Sequence, residues 1–246
     1  MIQKNPEALH LLYHSLSEQI SSYSYELSSE SFEKHVRLFC ELSKGEESTR
    51  MPIFTFDDGH ASNYERALPI LCKFRLFSIF FVTANWIGTP QYMTWQQVRT
   101  IQSLGHEIGS HTLSHPMLTH CSDAELAKEI GGSRDLLENQ LGAPIRSISF
   151  PGGRYNRRVV EACTKEGYSR VYTSDPYSRN IRAVSLTGRI RVHNHMDLTY
   201  MRYLVANNNL LLFKIRTSFA TKQFVQRLLG DSLYWKLWRL ITHYPD

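Results

Sequence analysis

Three histidines, His106, His111 and His115, fall within ten positions of the stretch GHEIGSHTLSHPML, residues 105–118, among glycines, serines and a proline. Imidazoles four residues apart can share a metal ion, carry protons, or sit as hydrogen-bonded packing groups. Spacing alone does not choose, because eleven histidines in 246 residues give about 0.5 such pairs by chance. His10 and His14 form a second pair of the same spacing. Two adjacent carboxylates, Asp57 and Asp58, close the apolar run IFTF and are followed by Gly59. Acids that close raise each other's pKa, and behind a buried strand they are costly unless a cation or a dense hydrogen-bond network compensates them. A divalent metal is one such compensation. One carboxylate oxygen and two imidazole nitrogens make a three-ligand site with an open position, which polarises a carbonyl and lowers the pKa of a water. The other carboxylate can then take the water's proton as general base. The plainer alternatives are an Asx-bonded turn for the acids and a satisfied, capped pair for the histidines.

The elements around these residues decide which alternative has support. Short apolar runs suited to buried strands lie at 10–16, 51–59, 77–88, 106–112, 145–153 and 169–175. Helical patterns lie between them. One starts at Ser28 or Ser29 and stops at Gly45; one opens with Thr94 and closes at Gly105. A third starts at Ser122, with Glu125 completing a capping box, and ends at Gly142. Strand and helix alternating at this rate predict βα units around a parallel sheet or barrel, in which functional groups gather at the C-terminal ends of strands. Asp57 and Asp58, then His111 and His115, then Pro151-Gly152-Gly153 each follow a strand run, so three polar or glycine-rich turns converge on one rim.

The length suits one large domain or two small ones, and the 42% hydrophobic and 21% charged composition is that of an ordinary folded chain. Four scattered cysteines form no C-x-x-C pair, which argues against a thiolate zinc site and a compact disulfide framework. A formal charge of +5 allows an anionic partner, but the basic residues are dispersed, so a nucleic-acid-binding reading rests on charge alone. With no signal-like start and no run of eighteen apolar residues, the expected location is cytoplasmic.

The motifs TFDDG (55–59), SHTLSH (110–115) and SFPGG (149–153), in that order, resemble the first three motifs of the polysaccharide deacetylases, carbohydrate esterase family 4. The likeness extends to LLYH (11–14), FEKHVRLF, FFVTANWIG and MTWQQVRTIQSLGHEIGSHTLSHPML, and covers roughly residues 9–175. It implies an α/β fold, a distorted (β/α) barrel of about seven strands, in one domain over 1–246 with a helical C-terminal extension at 200–246. It implies Asp57 as catalytic base, Asp58, His111 and His115 as metal ligands, and the Gly152 N–H as oxyanion donor. The implied reaction removes an N-acyl group, usually acetyl, from an amino sugar of a polysaccharide, oligosaccharide or lipid-linked glycan. Zinc is the first expectation for the metal, with cobalt, nickel or manganese as alternatives.

The chain also departs from the family. Ser149 stands where members with the full third motif carry the arginine that holds the base. Arg146, Arg154 or Arg189 could replace it, and LTGRIRV (186–192) resembles a late strand of one branch with an arginine near position 189. Asp175 is a faint counterpart of the late aspartate motif. The family's final Leu-x-His, whose histidine protonates the amine, has only His193 and His195 to offer. Pro151, Arg154, Tyr155, Arg189 and His193 are the candidate substrate contacts. Loss of the motif-three arginine keeps open an alternative, a catalytically degenerate glycan-binding barrel. Residues 210–243 interleave leucines and aromatics with lysines and arginines. That pattern fits packing on the barrel or a second subunit, or a basic amphipathic element lying on the inner membrane face.

Overall fold

The computed structural model describes residues 9–19, 21–44, 52–181, 184–206 and 209–242, with backbone alone at 209, 227 and 231–242. Its strands are β1 (His10–Tyr13), β2 (Ser15–Ser17), β3 (Glu26–Ser28), β4 (Ile53–Phe56), β5 (Ser78–Val82), β6 (Glu107–Ser110), β7 (Ser147–Ser149), β8 (Arg170–Tyr172), β9 (Arg179–Ile181), β10 (Val184–Thr187) and β11 (Ile190–Arg191). Its helices are α1 (Ser29–Leu42), α2 (Leu68–Lys73), α3 (Trp95–Ser103), α4 (Asp123–Leu141), α5 (Arg157–Lys165), α6 (Leu198–Val205) and α7 (Asn209–Thr242).

Nine strands form one sheet in the order β11-β1-β4-β5-β6-β7-β8-β10-β9, parallel throughout except where β9 runs against β10. Only Gly188 and Arg189 separate β10 from β11. That one stretch of chain pairs with β8 at its start and with β1 at its end, which curls the sheet into a distorted barrel. Strands covered on both faces must be apolar on both, and SIFFV in β5 is buried at every position. Alternation along the strands splits the core in two. Phe54, Phe56, Phe80 and Val82 belong to the large cluster shared with the helices, while Ile79, Phe81 and Tyr172 form a small one on the opposite, inward side.

The predicted helices form where capping chemistry places them. Ser122 and Thr94 each close a capping box, with Glu125 and Gln97, and Ser28 accepts from the Ser31 N–H. The predicted strand at 10–16 is broken. β1 stops at Tyr13, and Ser15–Ser17 leaves to form a two-stranded ribbon with β3. His14 is therefore a strand-end residue at the barrel rim. Its carbonyl is held at 2.6 Å by the Asn63 amide, from a five-residue π turn (Asn63–Ala67) that leads into α2. That turn and helix were not predicted. The run at 77–88 also ends early, at Val82, where the chain enters a short 3₁₀ turn, Ala84–Trp86. Among the described residues no helix is long and apolar enough to cross a membrane.

Candidate active site

Asp57 leaves the end of β4 with only 3% of its surface exposed, and burying a carboxylate requires a counter-charge. Arg189 supplies it. Its guanidinium donates from Nη1 to Asp57 Oδ1 at 2.7 Å and from Nη2 to Oδ2 at 2.8 Å. The other donors of the fork reach Thr55 Oγ1 (3.2 Å), Ser149 Oγ (2.6 Å) and, from Nε, the Thr173 carbonyl (3.0 Å). All five N–H groups of the fork thus have acceptors, and its flat face lies 5.1 Å from the Phe81 ring inside the barrel. Ser149 Oγ adds a third hydrogen bond to Asp57 at 3.0 Å. Burial pushes the Asp57 carboxyl up, but the charges of Arg189 and His111 and the Arg189 hydrogen bonds outweigh it and hold the group below its ordinary value. Of the three arginines that could take the place of the missing one, Arg189 is in contact with Asp57. The same contacts correct its assignment as a substrate contact, because it is 1% exposed and its donors are spent.

Asp58, His111 and His115 come together on the same rim, each offering a ligand atom within 4.8 Å of the others. His111 Nε2 lies 3.3 Å and His115 Nε2 3.5 Å from Asp58 Oδ1. His111 Nδ1 lies 3.0 Å from the Ser149 carbonyl, which fixes that nitrogen as the donor and leaves the lone pair on Nε2. Asp58, Thr112 and His115 all adopt positive φ (74°, 69° and 65°), strained for side-chain-bearing residues and concentrated here. The strain is held by a local network. Glu129 of α4 accepts from the Leu113 N–H, the Ser114 N–H (2.8 Å) and the Ser114 hydroxyl, while the His115 N–H donates to Thr112 Oγ1 at 3.0 Å. Gly59 completes the acid turn at φ 83°, where a Cβ would stand 3.2 Å from Val82. One carboxylate and two imidazoles are a donor set that fits a divalent transition metal.

Pro151, Gly152 and Gly153 form a tight turn after β7. Gly152 sits at φ 60°, and a Cβ there would meet the Met117 methyl at 2.8 Å. The turn uses the N–H of Gly153, bonded to the Phe150 carbonyl, and that of Arg154, bonded to the Pro151 carbonyl. The Gly152 N–H has no such bond among the described residues. Pro151 is buried, and Arg154 is half-buried beside the turn. Tyr155 stacks on Phe150 at 5.3 Å, donates to Asp175 Oδ2 at 2.6 Å and accepts from Arg179 Nε at 2.8 Å. Its hydroxyl braces the segment leading into α5.

His106 meets its packing role, lying 3.3 Å from Ser78 Oγ and edge-on to Phe80. His193 is half-buried against Tyr25 (4.9 Å) and stacks on His195 (5.1 Å). Trp86 and Tyr92 at the rim escaped the sequence, and His14 carried no assigned role there. The Trp86 ring lies 4.9 Å from His115 and 4.8 Å from Tyr92, making an aromatic wall beside that histidine. His14 lies within electrostatic reach of Asp57, Asp58 and His111. Nothing in the spacing of Trp86 or Tyr92 marks them, whereas a histidine that ends a strand beside β4 does carry a signal.

Fold and rim together define a class, the distorted α/β barrel with a carboxylate and imidazole centre at the C-terminal ends of its strands. The chain belongs to the polysaccharide deacetylase family, whose sequence model matches residues 44–171. It is 29% identical over 181 residues to the putative polysaccharide deacetylase YxkH of Bacillus subtilis, covering 68% of this chain and 64% of that one. It is 29% identical over 121 residues to a peptidoglycan-N-acetylglucosamine deacetylase of Bacillus cereus, covering 49% and 54%. The chain thus spans less than two thirds of the length of either relative. In fold it is similar to the Streptococcus pyogenes deacetylase PplD, solved in complex with acetate. That likeness has a TM-score of 0.71 at 20% identity and covers 80% of this chain and 97% of that one.

Proposed function

We propose that the protein is a metal-dependent hydrolase that removes an N-acyl group, acetyl in the first place, from an amino sugar of a polysaccharide, oligosaccharide or lipid-linked glycan. The observation that carries this is the buried Asp57, clamped by Arg189 beside the Asp58, His111 and His115 cluster. An acid held ionised next to a three-ligand site is what hydrolysis of a stable amide needs. Family membership supports the amino-sugar amide as substrate, and the Trp86 and Tyr92 wall offers apolar faces of the kind sugar rings stack on. Arg189 also weakens the degenerate-barrel reading, since the missing arginine was its main support.

Asp58, His111 and His115 would hold the cation. When bound, it supplies Lewis-acid polarisation of the acyl carbonyl and lowers the pKa of water. Zinc suits this donor set, as do cobalt and nickel, and manganese less well. Asp57 takes the proton from the attacking water as the oxygen joins the acyl carbon. Arg189 and Ser149 keep its oxygens oriented through that step. The Gly152 N–H donates to the carbonyl oxygen as charge develops there. The C–N bond then breaks, and the departing amine takes a proton from a rim imidazole.

The test is bound divalent metal per chain and acetate release from N-acetylglucosamine oligomers, in wild type and His115→Ala. The expected result is near-stoichiometric metal and acetate release in wild type, both lost in the variant. Wild-type protein that takes up no metal after reconstitution would overturn the proposal.

A further inference from the structure

The segment that follows β5 carries none of the three cluster residues, yet it is hydrogen-bonded to both turns that do. Toward the acid turn, the Thr83 N–H donates to the Asp58 carbonyl (3.4 Å), the Met93 N–H to the Gly59 carbonyl (3.0 Å), and the Ala61 N–H to the Gln91 carbonyl (2.8 Å). Toward the histidine turn, the Ala84 N–H donates to the Thr112 carbonyl (3.1 Å) and the Asn85 N–H to the Leu113 carbonyl (2.9 Å). The segment also closes on itself, the Gly88 N–H bonding the Met93 carbonyl at 2.8 Å. Residues 83–93 thus brace the Asp58 turn against the His115 turn.

Trp86 sits in the middle of that brace. Its ring lies 4.9 Å from the His115 ring with 32° between the planes, and Tyr92 packs on it at 4.8 Å. The two histidines of the cluster are held differently. His111 Nδ1 bonds the Ser149 carbonyl at 3.0 Å, and that bond sets the ring. Among the described residues no hydrogen bond reaches His115 Nδ1, while the backbone of His115 stands at φ 65°, from which relaxation would swing the imidazole. What orients the His115 ring is therefore ring packing, against Trp86 and against His111, each at 4.9 Å. An indole face also attracts a cation more strongly than any other aromatic side chain, so it favours an imidazole that has gained positive character.

We infer that Trp86 is a positioning residue for His115. Held by the 83–93 brace, its ring keeps the imidazole with Nε2 toward Asp58, 3.5 Å away, and stabilises it once a cation is bound. The inference rests on Asp58, His111 and His115 being the metal site of the deacetylase reading. Trp86 offers no ligand atom itself, so its loss weakens and distorts the site without removing a ligand.

The test uses metal alone. Metal-free wild type, Trp86→Phe and Trp86→Leu are titrated with zinc against a chromophoric chelator, and separately with cobalt(II), whose visible absorption reports coordination geometry. Far-ultraviolet circular dichroism checks the fold of each variant. The expected result is zinc affinity weakened about 10-fold in Trp86→Leu and about threefold in Trp86→Phe, which keeps a smaller ring face. At saturation the cobalt spectrum is expected to be kept by Trp86→Phe and altered in Trp86→Leu. A role in folding alone would lower the thermal stability of the metal-free protein and move neither metal readout. Wild-type affinity and spectrum in Trp86→Leu, or wild-type affinity in Trp86→Phe where only that variant folds, would overturn the inference. Equal losses in the two variants would overturn the role of the ring face. Wild-type protein that takes up no metal would overturn the deacetylase reading itself, a result distinct from metal bound equally well by every variant.

Discussion

Asp57 and Arg189 lie 132 positions apart in the chain and form the contact on which the site depends. A buried pair of this kind is costly to break from one side, because the remaining charge has no solvent. Arg189→Met is therefore expected to lower unfolding free energy by about 3–5 kcal/mol in denaturant titrations at neutral pH. It also removes the cation that holds the Asp57 carboxyl down, so that pKa must rise. The acid limb of the kcat/KM profile is expected to move to higher pH. An unmoved limb would mean that Arg189 does not act on the base. The linkage to stability has the same sign. In wild type, stability from the low Asp57 pKa is present above the ordinary carboxylate range and is lost as pH falls through the folded value. The acids and the histidine pair were legible because several motifs recur in a fixed order. Arg189 was legible only as one of three arginines, since no local pattern says which distant side chain turns into the barrel. His14 and Trp86 owe their places to strands ending sooner than their apolar runs.

At the level of elements, the loop after β6 carries His111 and His115, holds Thr112 and His115 in strained backbone, and relies on α4 to hold it. Glu129 accepts three hydrogen bonds from Leu113 and Ser114. Glu129→Ala removes those acceptors while leaving Asp58, His111 and His115 unaltered. The expected result is metal affinity weakened about 10- to 100-fold, read by competition with a chromophoric chelator, with the stoichiometry kept. An unchanged affinity would mean the loop holds its own shape. Helices α1, α3 and α4 were readable because caps are written in adjacent residues. The split between β1 and β2 was not, because LLYHSL is apolar enough to continue as one strand and only the tertiary pairing of Ser15–Ser17 with β3 ends it. The closure of the barrel was equally hidden, since it depends on β10 and β11 reaching opposite neighbours.

At the scale of the whole molecule, α7 packs on the barrel through Leu211, Leu212 and Ile215 and leaves Phe213, Phe224 and Leu228 more than 60% exposed, with Lys214 and Arg216 exposed among them. The part of the basic, apolar segment at 231–243 lies outside the described side chains. An amphipathic surface of this composition suits an anionic bilayer, which would bring a lipid-linked glycan to the rim. Phosphatidylglycerol vesicles are expected to sediment the protein and phosphatidylcholine vesicles are not. Phe213→Ser with Leu228→Ser is expected to weaken binding by about tenfold or more. Equal sedimentation by both vesicle types would argue that the helix packs on protein instead.

The most direct measurement is acetate released per chain from an N-acetylglucosamine oligomer by metal-loaded wild type beside metal-loaded Asp57→Asn, with metal content measured on both. The account predicts catalytic acetate release by wild type and none above background by the variant, at equal metal occupancy. Release by Asp57→Asn at the wild-type rate would contradict Asp57 as the base. Saturable oligomer binding by loaded wild type with no acetate would make this a glycan-binding barrel.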